Sequence, residues 1–262
     1  MLWHELSHPE IGTLNRDLPV VIPLASCEQH GRHLPVFVDT FQLQEVMRRL
    51  EERAGDRVVS APTLWLGASH HHMDFPGALS LSPKLYTEVI QELTLCFLNQ
   101  GFRRLLFLNG HGGNVVPTHQ ALTDLITRNE LADAATIAFS SFWRVTAHAL
   151  TPERHAMETP VITHACEYET SFMLAIRGDL VDLSKISPDH IEKVRPWTAD
   201  PRHAGKVEGF HRFHRWTSSG HMGQPSSATK EKGLSMLESV TTELVEFIDD
   251  FAKWPAMEVL RD

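Results

Sequence analysis

The sequence predicts an α/β fold, a parallel sheet covered by helices on both faces. Three observations carry that reading. Apolar runs of strand length alternate with helix-period segments through residue 143, the pattern of a parallel sheet with helical crossovers. At 262 residues and 42% hydrophobic content, the chain can bury one large core. No composition break divides it, so residues 1–262 are read as a single domain.

The elements follow in order. The run LPVVIPLAS reads as a buried strand over 18–25. DTFQLQEVMRRLEERAG places Leu43, Val46, Met47 and Leu50 at helical spacing and ends at Gly55. RVVSAPTLWLG is a second strand. SPKLYTEVIQELTLCFLNQG is the clearest helix, with Ser82 to cap it, Pro83 at its first position and Gly101 to stop it. RRLLFLNG, VPTHQALTDLITRNE and ATIAFSSFW give a third strand, a helix and a fourth strand. MLAIRGDLVDL is compatible with a short helix or strand. Residues 185–227 are an irregular excursion rich in His, Arg, Ser, Gly and Pro, and a final helix spans about 229–253.

Composition narrows the function. The net charge is −9 without a basic tail, which argues against general nucleic-acid binding. Three cysteines, Cys27, Cys96 and Cys166, are too few for a disulfide scaffold and suit a reducing cytosol. No signal peptide or transmembrane run is read, so the expected location is cytoplasmic, with no membrane or nucleic-acid partner. Seventeen histidines against 24 Lys and Arg hint at metal or proton chemistry.

In an open parallel sheet, function collects beyond the carboxyl ends of the strands. CEQH, SHHHMDFPG and NGHGGN each follow a predicted strand. Glu28 and His30, two residues apart, share one face in extended backbone; alone they suit a hydrogen-bonded pair as well as a ligand pair. Asp39 opens the first helix and can serve as an acidic cap, a ligand, or both. Gly110, Gly112 and Gly113 allow a sharp turn and close approach to a ligand, with His111 between them. THACEYETSF adds His164, Glu167 and Glu169, costly to bury without cations or hydrogen-bond partners. The imidazole and carboxylate set suits Zn, Mn or Fe(II), and a shared carboxylate suits two ions bridging one water. His33 suits a contact to a ligand carboxylate or substrate, or equally a loop histidine fixing the turn; His72 suits the pocket lining, and the plain reading of His70 and His71 is the surface. His203, His211, His214 and His221 suit a substrate lid or an oligomer contact. No glycine fingerprint of a nucleotide-binding oxidoreductase is present.

EQHGRHLPVFVDT, FPGALSL, NGHGGN, HACEYETS and GHMGQPSSATKEKG, in that order over nearly the whole chain, resemble the signature segments of the creatininase (creatinine amidohydrolase) family. The resemblance implies a three-layer αβα sandwich with a mostly parallel central sheet, a homo-oligomer (a hexamer) and two divalent ions at the strand ends. Glu28 and His111 would hold one ion, His30 the other, and Asp39 would bridge them. Creatininases carry a last ligand, Glu, two residues after the histidine of the NGH motif; here that position is Gly113. Glu167 is therefore expected to complete the second ion's ligands. His164 is expected to shuttle a proton, with Glu169 orienting it or acting beside it. The HGGN form resembles family branches that deformylate formamidopyrimidines, trim peptides or hydrolyse cyclic keto-inositols, and METPVITHACE lacks the tryptophan that creatininases carry there. Both features point away from creatinine. The expected activity is a metal-dependent amidohydrolase that cleaves a C–N bond of a small cyclic amide through a metal-bridging hydroxide. Its alternatives are C–C cleavage of a cyclic ketone, or an inactive metal-binding scaffold.

Overall fold

The structure, a computed structural model, describes residues 1–188 and 210–255. His203 and much of the irregular excursion lie outside the described residues.

Four parallel strands form one sheet in the order β2-β1-β3-β4: β1 Pro19–Leu24, β2 Val59–Ser60, β3 Arg104–Asn109 and β4 Thr136–Ser141. The helices are α1 His8–Thr13, α2 Val38–Ala54, α3 Pro83–Asn99, α4 Val115–Arg128, α5 Glu130–Asp133, α6 Phe142–Val145, α7 Glu167–Arg177 and α8 Lys230–Phe251. The second strand is far shorter than its apolar run. Pro62 has no N–H to give a ladder, and the run continues only as a single bridge from Leu64 to Leu24.

The strands alternate in the face they present. Val20, Ile22 and Leu24 with Leu105 and Phe107 pack against α3 and α4. Val21, Leu106 and Leu108 pack against α2, α7 and α8. Helices thus cover both faces, as the alternation predicts. Each fully buried Leu, Ile or Phe adds about 1.5–3 kcal/mol. Ser82 Oγ accepts from Leu85 N–H at 3.3 Å, and Gly101 beyond the end of α3 takes φ +95°; the predicted caps of α3 are both present.

The register sets up the site. Leu24 pairs with Asn109, and Asn109 with Ser141, so three strands end level and their following loops meet at one edge. Within the segment 163–183 the helix α7 runs Glu167–Arg177, starting at Glu167 itself. Among the described residues, no helix is long and apolar enough to cross a membrane.

Candidate metal centre

Beyond the level strand ends, Glu28, His30, Asp39, His111, His164 and Glu169 converge from four separate segments. Asp39 lies in the first turn of α2, but its side chain caps nothing. Its Oδ1 is 3.0 Å from His30 Nε2, and its Oδ2 is 3.0 Å from His111 Nδ1. Ser26 Oγ donates to Asp39 Oδ2 at 2.6 Å. Glu28 Oε2 stands 3.3 Å from His111 Nδ1, and Glu28 Oε1 is 3.5 Å from His164 Nδ1. Glu169 Oε2 lies 3.8 Å from His30 Nε2 and accepts the Ala165 N–H.

Asparagines hold His111 in place. Asn109 Nδ2 donates to His111 O at 2.7 Å, and Asn109 Oδ1 accepts from His111 N–H. Asn114 Nδ2 donates to Ala25 O, tying this loop to the end of β1, and Asn114 Oδ1 accepts from Ala68 N–H. Of the three glycines Gly113 is the most tightly enclosed, and none has positive φ. A Cβ there would meet Ala68 O at 2.3 Å, whereas one on Gly112 would meet nothing within 4 Å. Gly113→Ala is expected to displace the His111 turn, weaken metal binding and cost about 1–3 kcal/mol, while Gly112→Ala matches wild type; melting temperatures and metal content of both variants check this. Equal behaviour would refute the steric argument.

The electrostatics are those of a cation site. Three carboxylates converge, and among the described residues no lysine or arginine pairs with them. Burial pulls His30 down, but Asp39, Glu169 and Glu28 outweigh it and hold its pKa up at about 9. Burial likewise opposes, and Glu28 and Asp39 overcome, at His111, held at about 10. Asp39, despite burial, is kept well below the usual carboxylate range by His30 and His111. Burial lifts Glu169 to about 7 against the pull of His30. Glu28 Oε2 and His30 Nε2 are buried without a hydrogen-bond partner, although each faces an oppositely charged neighbour. Carboxylate and imidazole donors crowded this closely, two of their buried atoms without a hydrogen bond, fit a divalent ion between them.

Three sequence expectations need correction. Glu167 is fully buried on the side of α7 away from this cluster. Its Oε1 accepts from Lys232 Nζ at 2.6 Å, and its Oε2 from the N–H groups of Glu158 and Thr159 at 2.9 and 2.7 Å. With both oxygens engaged, it is not placed to complete the second ion's ligands; Glu169, beside His30 and Asp39, is. Glu169 in turn faces His30 rather than orienting His164. That task falls to Gln29, whose carbonyl accepts from His164 Nε2 at 2.7 Å. The third concerns His71, which lies against the pocket rather than at the surface.

His72 is buried, with Nδ1 accepting from Gln29 Nε2 at 3.0 Å and Nε2 3.4 Å from Glu28 Oε1. His33 bonds Thr170 Oγ1 at 3.0 Å, tying the loop after β1 to α7. His221 stacks edge-on to His33, His211 is exposed, and His214 binds Asp74 at 2.8 Å. The pocket above the cluster measures ≈ 220 Å³, and Trp143, Ile162 and Phe213 form its apolar wall. Phe213 stacks on His72 at 4.3 Å, held there by Arg212 and His214 on Asp74. Sequence reasoning missed Gln29, Trp143, Phe213 and Lys232. Only Gln29, inside CEQH, carried a local signal.

Comparison with known proteins decides the family. The model of the creatininase family (creatinine amidohydrolase) matches residues 4–248. The chain belongs to the creatininase family. A creatinine amidohydrolase of Pseudomonas putida is 30% identical over 234 residues, 85% of each chain. A mycofactocin precursor peptide peptidase of Mycobacterium ulcerans is 28% identical over 245 residues, 90% of this chain and 85% of the relative. A creatinine amidohydrolase crystal structure shares the fold with a TM-score of 0.79 at 24% identity, covering 97% of this chain and 98% of that one. A manganese creatininase gives a TM-score of 0.77 at 25% identity, covering 95% and 97%. This creatininase-family chain is a metal-dependent hydrolase. Its own protonation pattern has a measurable consequence. His30 and His111 hold protons well above pH 7, Glu169 is about half protonated there, and a cation must displace them, so metal uptake near pH 7 releases about two to three protons per chain and tightens as pH rises toward 9. Calorimetry in buffers of different ionisation enthalpy measures this; uptake without proton release would contradict it.

Proposed function

We propose that the chain holds two divalent ions, Zn, Mn or Fe, and cleaves a C–N bond of a small cyclic amide. One observation carries the reading: Asp39 presents a different oxygen to each of two imidazoles, His30 and His111, as a shared carboxylate between two ions does. Glu28 and His111 then serve one ion, His30 and Glu169 the other. The pocket volume supports a small substrate. An amidohydrolase and a peptide peptidase among the relatives support the C–N bond.

When bound, the ions supply a water acidified to near-neutral pH and an electrophilic contact for a carbonyl oxygen. The residues supply the rest. In the tautomer that donates from Nε2 to the Gln29 backbone carbonyl at 2.7 Å, His164 turns the lone pair of Nδ1 toward Glu28 and the pocket. Burial and the charge of His30 push His164 well below its usual pKa, so it enters the reaction neutral. It takes the proton of the attacking water on Nδ1, where Glu28 stabilises the cation, and returns it to the leaving nitrogen. Trp143, Ile162 and Phe213 keep bulk water from the reacting carbonyl.

The test is elemental analysis of untagged protein followed by a screen of cyclic amides for amine release. Two ions per chain and a turned-over amide support the reading; no ion after Zn or Mn addition removes it. His164→Ala is expected to keep both ions and lose about 10²–10⁴-fold in kcat. Loss of an ion in that variant would make His164 a ligand instead. A second reading, opening of a cyclic ketone, has one observation in its favour. A 3-dehydro-scyllo-inosose hydrolase of Thermotoga maritima is 29% identical over 160 residues, 60% of this chain and 50% of that one. Turnover without release of amine or ammonia would favour it.

A further inference from the structure

We propose that His71 is a metal ligand, donating its imidazole, beside Glu28 and His111, to one of the two ions. The proposal rests on the dinuclear reading above and adds a donor to it. Donor atoms of Glu28, His71 and His111 all lie within 4.8 Å of one another. Two atoms each about 2.1 Å from one ion are at most about 4.2 Å apart, so small side-chain rotations let all three share an ion. The His71 ring runs nearly parallel to that of His111, at 19° and 5.6 Å between centroids.

The turn that carries His71 is held on both sides. His70 Nδ1 is tied outward to Ser80 Oγ at 2.8 Å, and His72 is tied inward to Gln29. Ser69 N–H donates to Ser80 Oγ at 2.7 Å, and Ala68 N–H to Asn114 Oδ1 at 2.9 Å. Between these anchors, His71 is directed into the pocket, which it lines. It also fills the volume beside Gly113. A Cβ on Gly113 would stand 2.7 Å from His71 Cε1, so the imidazole occupies the space a longer residue at 113 would enter.

The consequence is an unequal pair of ions. One has Glu28, His71, His111 and the shared Asp39; the other has His30, Glu169 and the shared Asp39. An ion with fewer protein donors keeps more open positions, which assigns the substrate carbonyl to the side of His30 and Glu169.

The experiment titrates metal-free wild type, His71→Ala and His71→Gln with Zn²⁺ against a chromogenic chelator, and with Co²⁺ by visible absorption. His148→Ala, at an exposed histidine away from the turn, controls for loss of an imidazole, and circular dichroism confirms that each variant is folded. The expected result is two ions in wild type and His148→Ala. In both His71 variants one ion binds about 10- to 100-fold more weakly, with a changed Co²⁺ spectrum for that ion and the other ion unaffected. Unchanged affinities and spectra in the His71 variants overturn the proposal. If wild type takes up a single ion, the dinuclear reading fails, and weakened binding of that ion in His71→Ala still supports the ligand while unchanged binding overturns it. No uptake by wild type overturns both.

Discussion

Asp39→Asn is expected to leave a folded protein that holds neither of the two proposed ions and has lost at least about three orders of magnitude in hydrolysis. The substitution keeps the shape of the side chain and removes its charge. In the native site each carboxylate oxygen faces an imidazole nitrogen at 3.0 Å, and Ser26 fixes the plane between them. An amide offers one oxygen and one pair of hydrogens, so it serves at most one of the two positions and repels a cation at the other. Asp39 sits at the start of α2 and asparagine matches its volume, so the variant is expected to fold. Metal content per chain and circular dichroism on the same sample decide the matter. Two ions retained at wild-type affinity would end the case for Asp39 as the shared ligand.

The second large effect concerns stability. Lys232 meets the fully buried Glu167 at 2.6 Å, and Lys232 Nζ also donates to Ser227 O at 2.9 Å. Lys232→Met strands the carboxylate without its cation. Breaking one side of such a pair costs about 3–5 kcal/mol, or about 6–20 °C in melting temperature for a chain of this size. Adding Glu167→Gln to Lys232→Met removes the stranded charge and is expected to recover part of the loss. Glu167→Gln alone keeps full metal occupancy, because neither of its oxygens faces the ions. A Lys232→Met protein that melts with wild type would show the pair to be dispensable, and metal loss in Glu167→Gln would return that residue to the ligand set.

Glu28, His30, Asp39 and His111 were legible in the sequence for a physical reason. Each follows closely on a strand or begins a helix after one, and a parallel sheet brings such positions to one edge. Glu167 and Glu169 could not be told apart by the same reasoning. Two residues apart on a helix they point to nearly opposite sides, and only packing against α8 says which side faces Lys232. The three histidines 70–72 pose the same problem in a tighter turn, where one points to solvent, one to the pocket and one to the interior. Phe213 and Lys232 reach their partners over long stretches of chain, a pairing that no local pattern records. The sheet was easier to read, because burial on both faces leaves an uninterrupted apolar run; only the second strand fell short, at Pro62.

The two helical layers divide their duties unevenly. Asp39, Glu169 and Lys232 all belong to α2, α7 and α8, while α3 and α4 contribute only apolar support to the far face of the sheet. The outward face of α3 and of the C-terminal half of α4, away from the α4 start that continues the His111 turn, is where surface charges and stabilising helix substitutions are expected to leave the cluster undisturbed.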